Sequence, residues 1–100
     1  MGSEAKERAF QRKPLHLMVE GRVRTRRVRV TVMDVSEGGC LLKGSPGFAN
    51  VGETISLKLG SLQAPMGCVA WVEGQMAGVA FAGKLHPAML DHLLHNRYAA

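Results

Sequence analysis

The property that most constrains the fold of this chain is a two-residue alternation of apolar and other side chains in several short segments. Residues 15–20 read LHLMVE, residues 27–33 alternate valine with arginine, threonine or methionine, and residues 54–59 read TISLKL. Successive side chains of a β-strand lie on opposite faces, so this period is typical of strands that bury one face. The sequence therefore predicts at least three half-buried strands.

Further strands and one helix are predicted after residue 39. Residues 40–42, 66–72 and 76–81 form short apolar runs typical of strands. After Pro87 the period changes to that of an amphipathic helix, and proline is favoured near the first position of a helix. The apolar stripe of this helix consists of Met89, Leu90, Leu93 and Leu94.

Turn residues separate these segments. The first two long strands are divided either at Glu20-Gly21 or at residues 24–26, and both alternatives fit the pattern. Gly38 and Gly39 are expected to supply positive φ angles to the turn that starts at Asp34. The sequence Glu73-Gly74-Gln75 is a hairpin signal between two later strands.

Together these segments predict a mainly β protein: a small six-stranded antiparallel β-barrel with a C-terminal helix at about residues 87–97. One hundred residues suffice for one domain. Residues 1–12 have no apolar periodicity beyond Ala9 and Phe10, and we expect them to form a flexible N-terminal arm. The barrel domain is then expected at residues 13–100.

The net charge of +5 is concentrated near the start of the chain. Residues 1–34 carry nine Lys and Arg against four Asp and Glu, whereas the remainder has four of each sign. A basic end on a neutral body indicates an anionic partner. Seven of the nine cations are arginines. Because guanidinium groups form planar bidentate contacts with phosphate, this favours a nucleotide over diffuse attraction to a membrane.

Several classes of function are not favoured by the sequence. No apolar run approaches the length of a membrane span and the polar start is not a secretory signal, so we expect a cytoplasmic protein without membrane insertion. Cys40 and Cys68 lie in apolar runs and are predicted to be reduced core residues. His92 and His95 have no evident third ligand, so no metal is expected. No catalytic constellation is recognisable, and the chain is predicted to be neither an enzyme nor a cofactor-binding protein.

Two short motifs carry recognisable binding chemistry. Arg8 and Arg12 form an R-x-x-x-R pattern, and Asp34, Ser36 and Gly39 form D-x-S-x-x-G at the end of the arginine-rich strand. The 21 residues between Arg12 and Asp34 suit a strand, a turn and a second strand. Either motif alone is a weak signal, but their order and separation on this strand pattern are more specific.

This pair of motifs resembles the hallmark of the PilZ family of bacterial cyclic di-GMP receptors. Residues 69–71 (VAW) and 78–81 (GVAF) are similar to later strands of that family, so the likeness covers nearly the whole chain. The resemblance implies a barrel that binds cyclic di-GMP as a ligand and signals to a downstream protein partner. It also implies that the arm becomes ordered when the nucleotide binds.

The resemblance assigns roles to individual residues. The arginines that match Arg8 and Arg12 bind phosphate and guanine, and the residues that match Asp34 and Ser36 contact guanine. These residue types are able to make such contacts. An arginine can donate two hydrogen bonds to guanine O6 and N7, and a carboxylate can accept from guanine N1–H and N2–H. Gly39 is expected to leave room beside the base.

Other interpretations of the same residues remain open. Asp34 and Ser36 can act simply as turn residues, and Trp71 is predicted to be buried in the core, with base stacking as the alternative. The arginines at positions 22, 24, 26, 27 and 29 are expected to form a solvated strand face.

Two other functions also fit a small barrel. One is a PilZ-like protein–protein adaptor that does not bind nucleotide. The other is a barrel for single-stranded nucleic acid, although such barrels stack bases on several exposed aromatics and this chain has only five aromatic residues. No binding to DNA is expected.

Overall fold

The computed structural model describes residues 12–59 and 61–99, with side chains described as far as residue 95. Residues 1–11 of the expected flexible arm, which include Arg8, lie outside the described residues. The elements are β1 (Lys13–Val23), β2 (Arg26–Val35), β3 (Gly39–Lys43), β4 (Thr54–Leu59), β5 (Leu62–Gln63), β6 (Gly67–Glu73), β7 (Met76–Phe81) and α1 (Pro87–Ala99).

Six of these strands form a closed antiparallel barrel in the order β1-β2-β3-β7-β6-β4, with β4 pairing back to β1. The two-residue strand β5 pairs antiparallel with the end of β4 and was not anticipated from the sequence. Closure uses both edges of each strand in the ring, which removes the exposed edges that an open sheet would leave. The predicted six-stranded antiparallel barrel with a C-terminal helix is confirmed.

The core fills the inside of this barrel with side chains from alternate strand positions, as the two-residue period predicts. The largest fully buried side chains are Leu15, Leu42, Ile55, Leu57, Leu59, Leu85, Val23, Val30, Val32, Val35 and Val69. Helix α1 contacts β1, buries Leu93 and packs Met89, Leu90 and Leu94 against the same core. Its first turn is capped by His86, whose Nδ1 accepts a hydrogen bond from Ala88 N at 3.0 Å.

The turn between β1 and β2 lies at Arg24-Thr25. Of the two turns that the sequence allowed, the one at residues 24–26 is therefore present and the one at Glu20-Gly21 is not. Arg24 has a φ of 59° there. Gly21 instead lies within β1, where a Cβ would approach the Leu57 side chain to 2.9 Å, so this glycine permits close contact with β4. The hairpin turn between β6 and β7 is confirmed, with Gly74 at a φ of 61°.

The two cysteines differ in environment, although both are free thiols. Cys40 is buried, as expected, but Cys68 is exposed. The prediction that Cys68 belongs to the core is therefore wrong. Its neighbours Gly67 and Val69 are the buried positions of β6, and the alternation of the strand leaves Cys68 on the outer face. Among the described helical residues, none forms a helix long and apolar enough to cross a membrane.

Candidate functional site

An open cavity of about 330 Å³ lies on the outer surface of the barrel, where β3, β6 and β7 meet the end of β2. We call it the outer cavity. Its walls are formed by Arg12, Asp34, Ser36, Gly38, Gly39, Cys40, Leu41, Ala70, Trp71, Gly78, Val79 and Ala80. Arg12 and all three residues of the D-x-S-x-x-G motif therefore line one cavity. The volume is within the range of small-molecule binding sites.

A β-bulge in β2 brings Asp34 to this cavity. The register of β2 with β3 pairs Val32 with Leu42 and then Asp34 with Leu41, so Met33 is an extra residue. The extra residue reverses the alternation, and Val32 and Val35 are both fully buried although they are three positions apart. Asp34 is half-buried at the cavity wall. Within the described part of the chain, its carboxylate has no hydrogen bond or ion pair.

Ser36 holds the loop that forms one side of the cavity. Its hydroxyl accepts from Gly38 N at 3.2 Å and donates to Gly39 O at 3.4 Å, while Ser36 N donates to Gly39 O at 2.8 Å. The turn role that the sequence left open for Ser36 is thus present. It leaves the hydroxyl with little spare donor capacity, because a serine carries one O–H.

Gly39 is required by strand packing. A Cβ at this position would overlap the carbonyl oxygen of Val79 on β7, so a side chain would separate β3 from β7. Neither Gly38 nor Gly39 has a positive φ, and the expectation that they supply left-handed conformations is wrong. The turn is closed instead by the hydrogen bonds of Ser36.

Trp71 forms part of the outer cavity, and its prediction as a core residue is wrong. The side chain is 41% exposed and lies directly over Gly78, where any Cβ would overlap the indole ring. A second β-bulge explains the difference, since β6 pairs Val69 with Val79 and then Trp71 with Gly78, leaving Ala70 as the extra residue. The bulge turns the indole to the outside of the barrel although Val69 is buried.

Cys40 is one of the residues that line the cavity, but its side chain is buried in the core and its thiol is not a reactive one. Burial, together with a smaller effect of the nearby Asp34 carboxylate, which disfavours a second negative charge, raises the pKa of Cys40 to about 12. The thiol therefore stays protonated at neutral pH and is a poor nucleophile. Among the described residues, no group of three His, Cys, Asp or Glu is placed to hold a metal ion.

The five arginines of the β1–β2 hairpin, at positions 22, 24, 26, 27 and 29, do not line the outer cavity. All five are exposed and, among the described residues of the outer cavity, Arg12 is the sole cation. One of the five, Arg26, forms an ion pair with Glu53 at 3.5 Å. Among the described residues, the cavity thus combines the guanidinium of Arg12, the carboxylate of Asp34, which has no partner there, and the indole of Trp71 beside small residues. This combination suits a planar heteroaromatic group that donates hydrogen bonds and is attached to an anion.

A small closed antiparallel barrel with a ligand-sized cavity on its outer wall is an architecture suited to a binding domain. Comparison with protein-family models gives a match to the PilZ domain over residues 6–97, nearly the whole chain. The chain belongs to the PilZ domain family. A search of curated proteins finds no match. PilZ domains are binding and adaptor domains that generally bind cyclic di-GMP.

Proposed function

We propose that this protein is a cyclic di-GMP receptor whose ligand occupies the outer cavity and whose bound form is recognised by a partner protein. The observation that carries the proposal is that Arg12, the second arginine of the first motif, lies at the same cavity as the second motif. Arg12 precedes β1 and Asp34 lies at the end of β2, yet both line the same cavity together with Ser36 and Gly39.

Asp34 and Trp71 would recognise a guanine base. The Asp34 carboxylate lacks a hydrogen-bond partner in the described part of the chain, so it can accept from guanine N1–H and N2–H without breaking an existing contact. Ala70 and Ala80 are exposed small residues that line the cavity together with Trp71, and their short side chains would leave room for a base to stack on the indole. Stacking on an aromatic side chain contributes about 1–3 kcal/mol per base.

Arg12 would bind a phosphate, and Arg8 a second phosphate or a guanine edge. Guanidinium groups hold phosphate oxygens through paired charge-assisted hydrogen bonds. We propose that residues 1–12 become ordered over the ligand when these bonds form. Ordering a segment costs conformational entropy, so the arginines must supply several strong contacts to offset it.

The protein contains one tryptophan, which makes binding directly observable. We expect cyclic di-GMP to change the fluorescence of Trp71 and to bind with micromolar or lower Kd, about −8 kcal/mol, in calorimetry. A single-stranded oligonucleotide titrated in parallel tests the nucleic-acid alternative. If near-millimolar cyclic di-GMP produced no heat, no fluorescence change and no NMR shifts, the receptor function would be wrong, and an adaptor without nucleotide would replace it.

The substitution Asp34→Asn tests whether Asp34 contacts guanine specifically or affects binding only through its negative charge. The amide has nearly the same shape but presents a donor to the guanine edge, so we expect cyclic di-GMP binding to weaken about tenfold or more. Glu73→Gln, at the exposed end of β6, removes the same charge from a residue that does not line the cavity and is the matched control. Equal losses in both variants would contradict a specific guanine contact.

A further inference from the structure

A second cleft lies on the outer wall of the barrel and is built from β1, β2, β4 and β5. It has a volume of about 390 Å³, and its charged and amide side chains come from Glu20, Arg22, Arg27, Lys58 and Gln63. We call it the basic cleft. Gln63 donates from Nε2 to Leu57 O at 3.0 Å, which fixes one wall.

The basic cleft lies on the opposite side of the barrel from the outer cavity. In the ring of strands β1 is flanked by β2 and β4, and β7 is flanked by β3 and β6, so β1 and β7 are three strands apart in a ring of six. The basic cleft is centred on β1, and the outer cavity is centred on β7. An occupant of one cannot contact an occupant of the other directly.

The positive charge of the basic cleft is poorly neutralised. Arg22 and Arg27 are direct partners across β1 and β2, and like charges in that arrangement are destabilising. Glu20 is the direct partner of Lys58 on β4, yet in the described residues it forms no ion pair with Lys58 or with either arginine. Arg26, by contrast, is paired with Glu53. An external anion would relieve the repulsion between Arg22 and Arg27.

We propose that the basic cleft is a docking surface for an acidic segment of a partner protein. At the cleft, residues 20–23 of β1 pair with both β2 and β4 and offer no free edge for strand addition, so we expect the polypeptide to bind through its side chains. Its carboxylates would bridge Arg22 and Arg27 in bidentate fashion and reach Lys58.

The lining of the cleft favours protein over nucleic acid as the partner. None of the described residues that line it is aromatic, so it has no platform on which bases could stack. Glu20 stands among the cations and repels any anion beside it, so a segment whose carboxylates are spaced apart fits better than a polyphosphate with a charge on every unit. The same carboxylate can accept hydrogen bonds from the backbone amides of a bound peptide.

The test uses the full chain without nucleotide and a fluorescein-labelled synthetic peptide of alternating glutamate and glycine. We expect saturable binding by fluorescence anisotropy, with NMR shifts concentrated at Arg22, Arg27 and Lys58. The double variant Arg22→Gln/Arg27→Gln should bind the peptide about tenfold more weakly. Its melting temperature should not fall, because the substitution removes a repulsive pair.

A matched control is the double variant Arg24→Gln/Lys43→Gln, which removes two exposed positive charges outside the cleft. It should bind the peptide within about twofold of the original chain. Equal losses in both double variants, or NMR shifts spread over the whole barrel, would overturn the proposal in favour of diffuse attraction. Tighter cleft-dependent binding of a single-stranded oligonucleotide or of anionic phospholipid vesicles would also overturn it.

This proposal and the nucleotide proposal fail separately. If cyclic di-GMP does not bind but the peptide still depends on Arg22 and Arg27, the receptor function alone is wrong. If the peptide does not bind while the fluorescence of Trp71 still responds to cyclic di-GMP, the docking surface alone is wrong.

Discussion

At the scale of single residues, the outer cavity contains side chains that hold its shape and side chains left available to a ligand. Ser36 belongs to the first group, because its hydroxyl is bonded to Gly38 and Gly39. Asp34 belongs to the second, since in the described part of the chain its carboxylate makes no such bond. Substitutions in the two groups should therefore affect stability and binding differently.

Arg12→Ala is expected to weaken nucleotide binding, and Ser36→Ala is expected to lower stability. Arg12 is exposed at the cavity, so its loss should weaken cyclic di-GMP binding by roughly 1.5–3 kcal/mol and leave the melting temperature of the free protein unchanged. Ser36→Ala leaves the buried loop without its hydroxyl contacts and should lower the free energy of unfolding by about 1–2 kcal/mol. Calorimetry and urea denaturation measure the two quantities. Arg26→Ala, which breaks only a largely exposed ion pair, serves as the control for both.

The two cysteines should react at very different rates with a thiol reagent such as Ellman's reagent. Cys68 is exposed, whereas the buried Cys40 has its pKa raised to about 12 and carries almost no thiolate near neutral pH. We expect one rapid equivalent in the native protein and two after denaturation. Cys68→Ser should abolish the rapid phase, and a rapid phase that persisted would show that Cys40 is accessible.

The buried thiol of Cys40 should make the free energy of unfolding decrease as the pH rises into the alkaline range. The pKa of Cys40 is higher in the folded protein than its ordinary value of 9.0, so the unfolded chain loses its proton first as the pH rises. The contribution of the protonated thiol to stability is complete below pH 9.0 and is lost between that value and about 12. Urea denaturation across this range should show a smaller decline in Cys40→Ala than in the original chain.

At the scale of secondary-structure elements, two β-bulges shape the outer cavity. One lies in β2 before Asp34 and the other lies in β6 before Trp71. Each inserts one residue and rotates the following side chain to the other face of the strand. The small residues of β7 leave room for the side chain that the bulge in β6 turns outward, since Gly78 lies directly beneath the indole of Trp71.

Gly39→Ala and Gly78→Ala are matched substitutions with different expected costs. A methyl group at Gly39 meets the backbone carbonyl of Val79, which can move only if β3 and β7 separate, and we expect a loss of about 1–3 kcal/mol in the free energy of unfolding. At Gly78 it meets the side chain of Trp71, which can rotate outward. Gly78→Ala should therefore cost less stability but change the fluorescence of Trp71 and weaken nucleotide binding.

At the scale of the whole molecule, closure of the barrel places the two proposed binding surfaces, the outer cavity and the basic cleft, on opposite sides of the barrel. The core inside is continuous from β1 to β7, and α1 packs against it through Leu93. A ligand in the outer cavity is therefore expected to stabilise the entire domain by mass action rather than one segment of it.

Cyclic di-GMP at about one hundred times its Kd should add about 2.7 kcal/mol to the free energy of unfolding. For a domain of this size, that corresponds to an increase in melting temperature of roughly 10–20 °C. Scanning calorimetry with and without ligand measures it. The Arg22→Gln/Arg27→Gln variant should show the same increase, because the basic cleft lies across the barrel. A smaller increase in that variant would mean that the two surfaces are coupled.

The sequence by itself determined the barrel, the helix and most of the core, because the two-residue period records which side chains a strand buries. It also indicated the motif residues that meet at one cavity, although their role in binding stays a prediction. What only the tertiary structure decided were the departures from that period: the outward position of Trp71, the exposed Cys68, the turn at Arg24 and the strand-packing role of Gly39. A bulge or a close strand contact depends on the neighbouring strand, which lies far away in the sequence, and no local pattern records it.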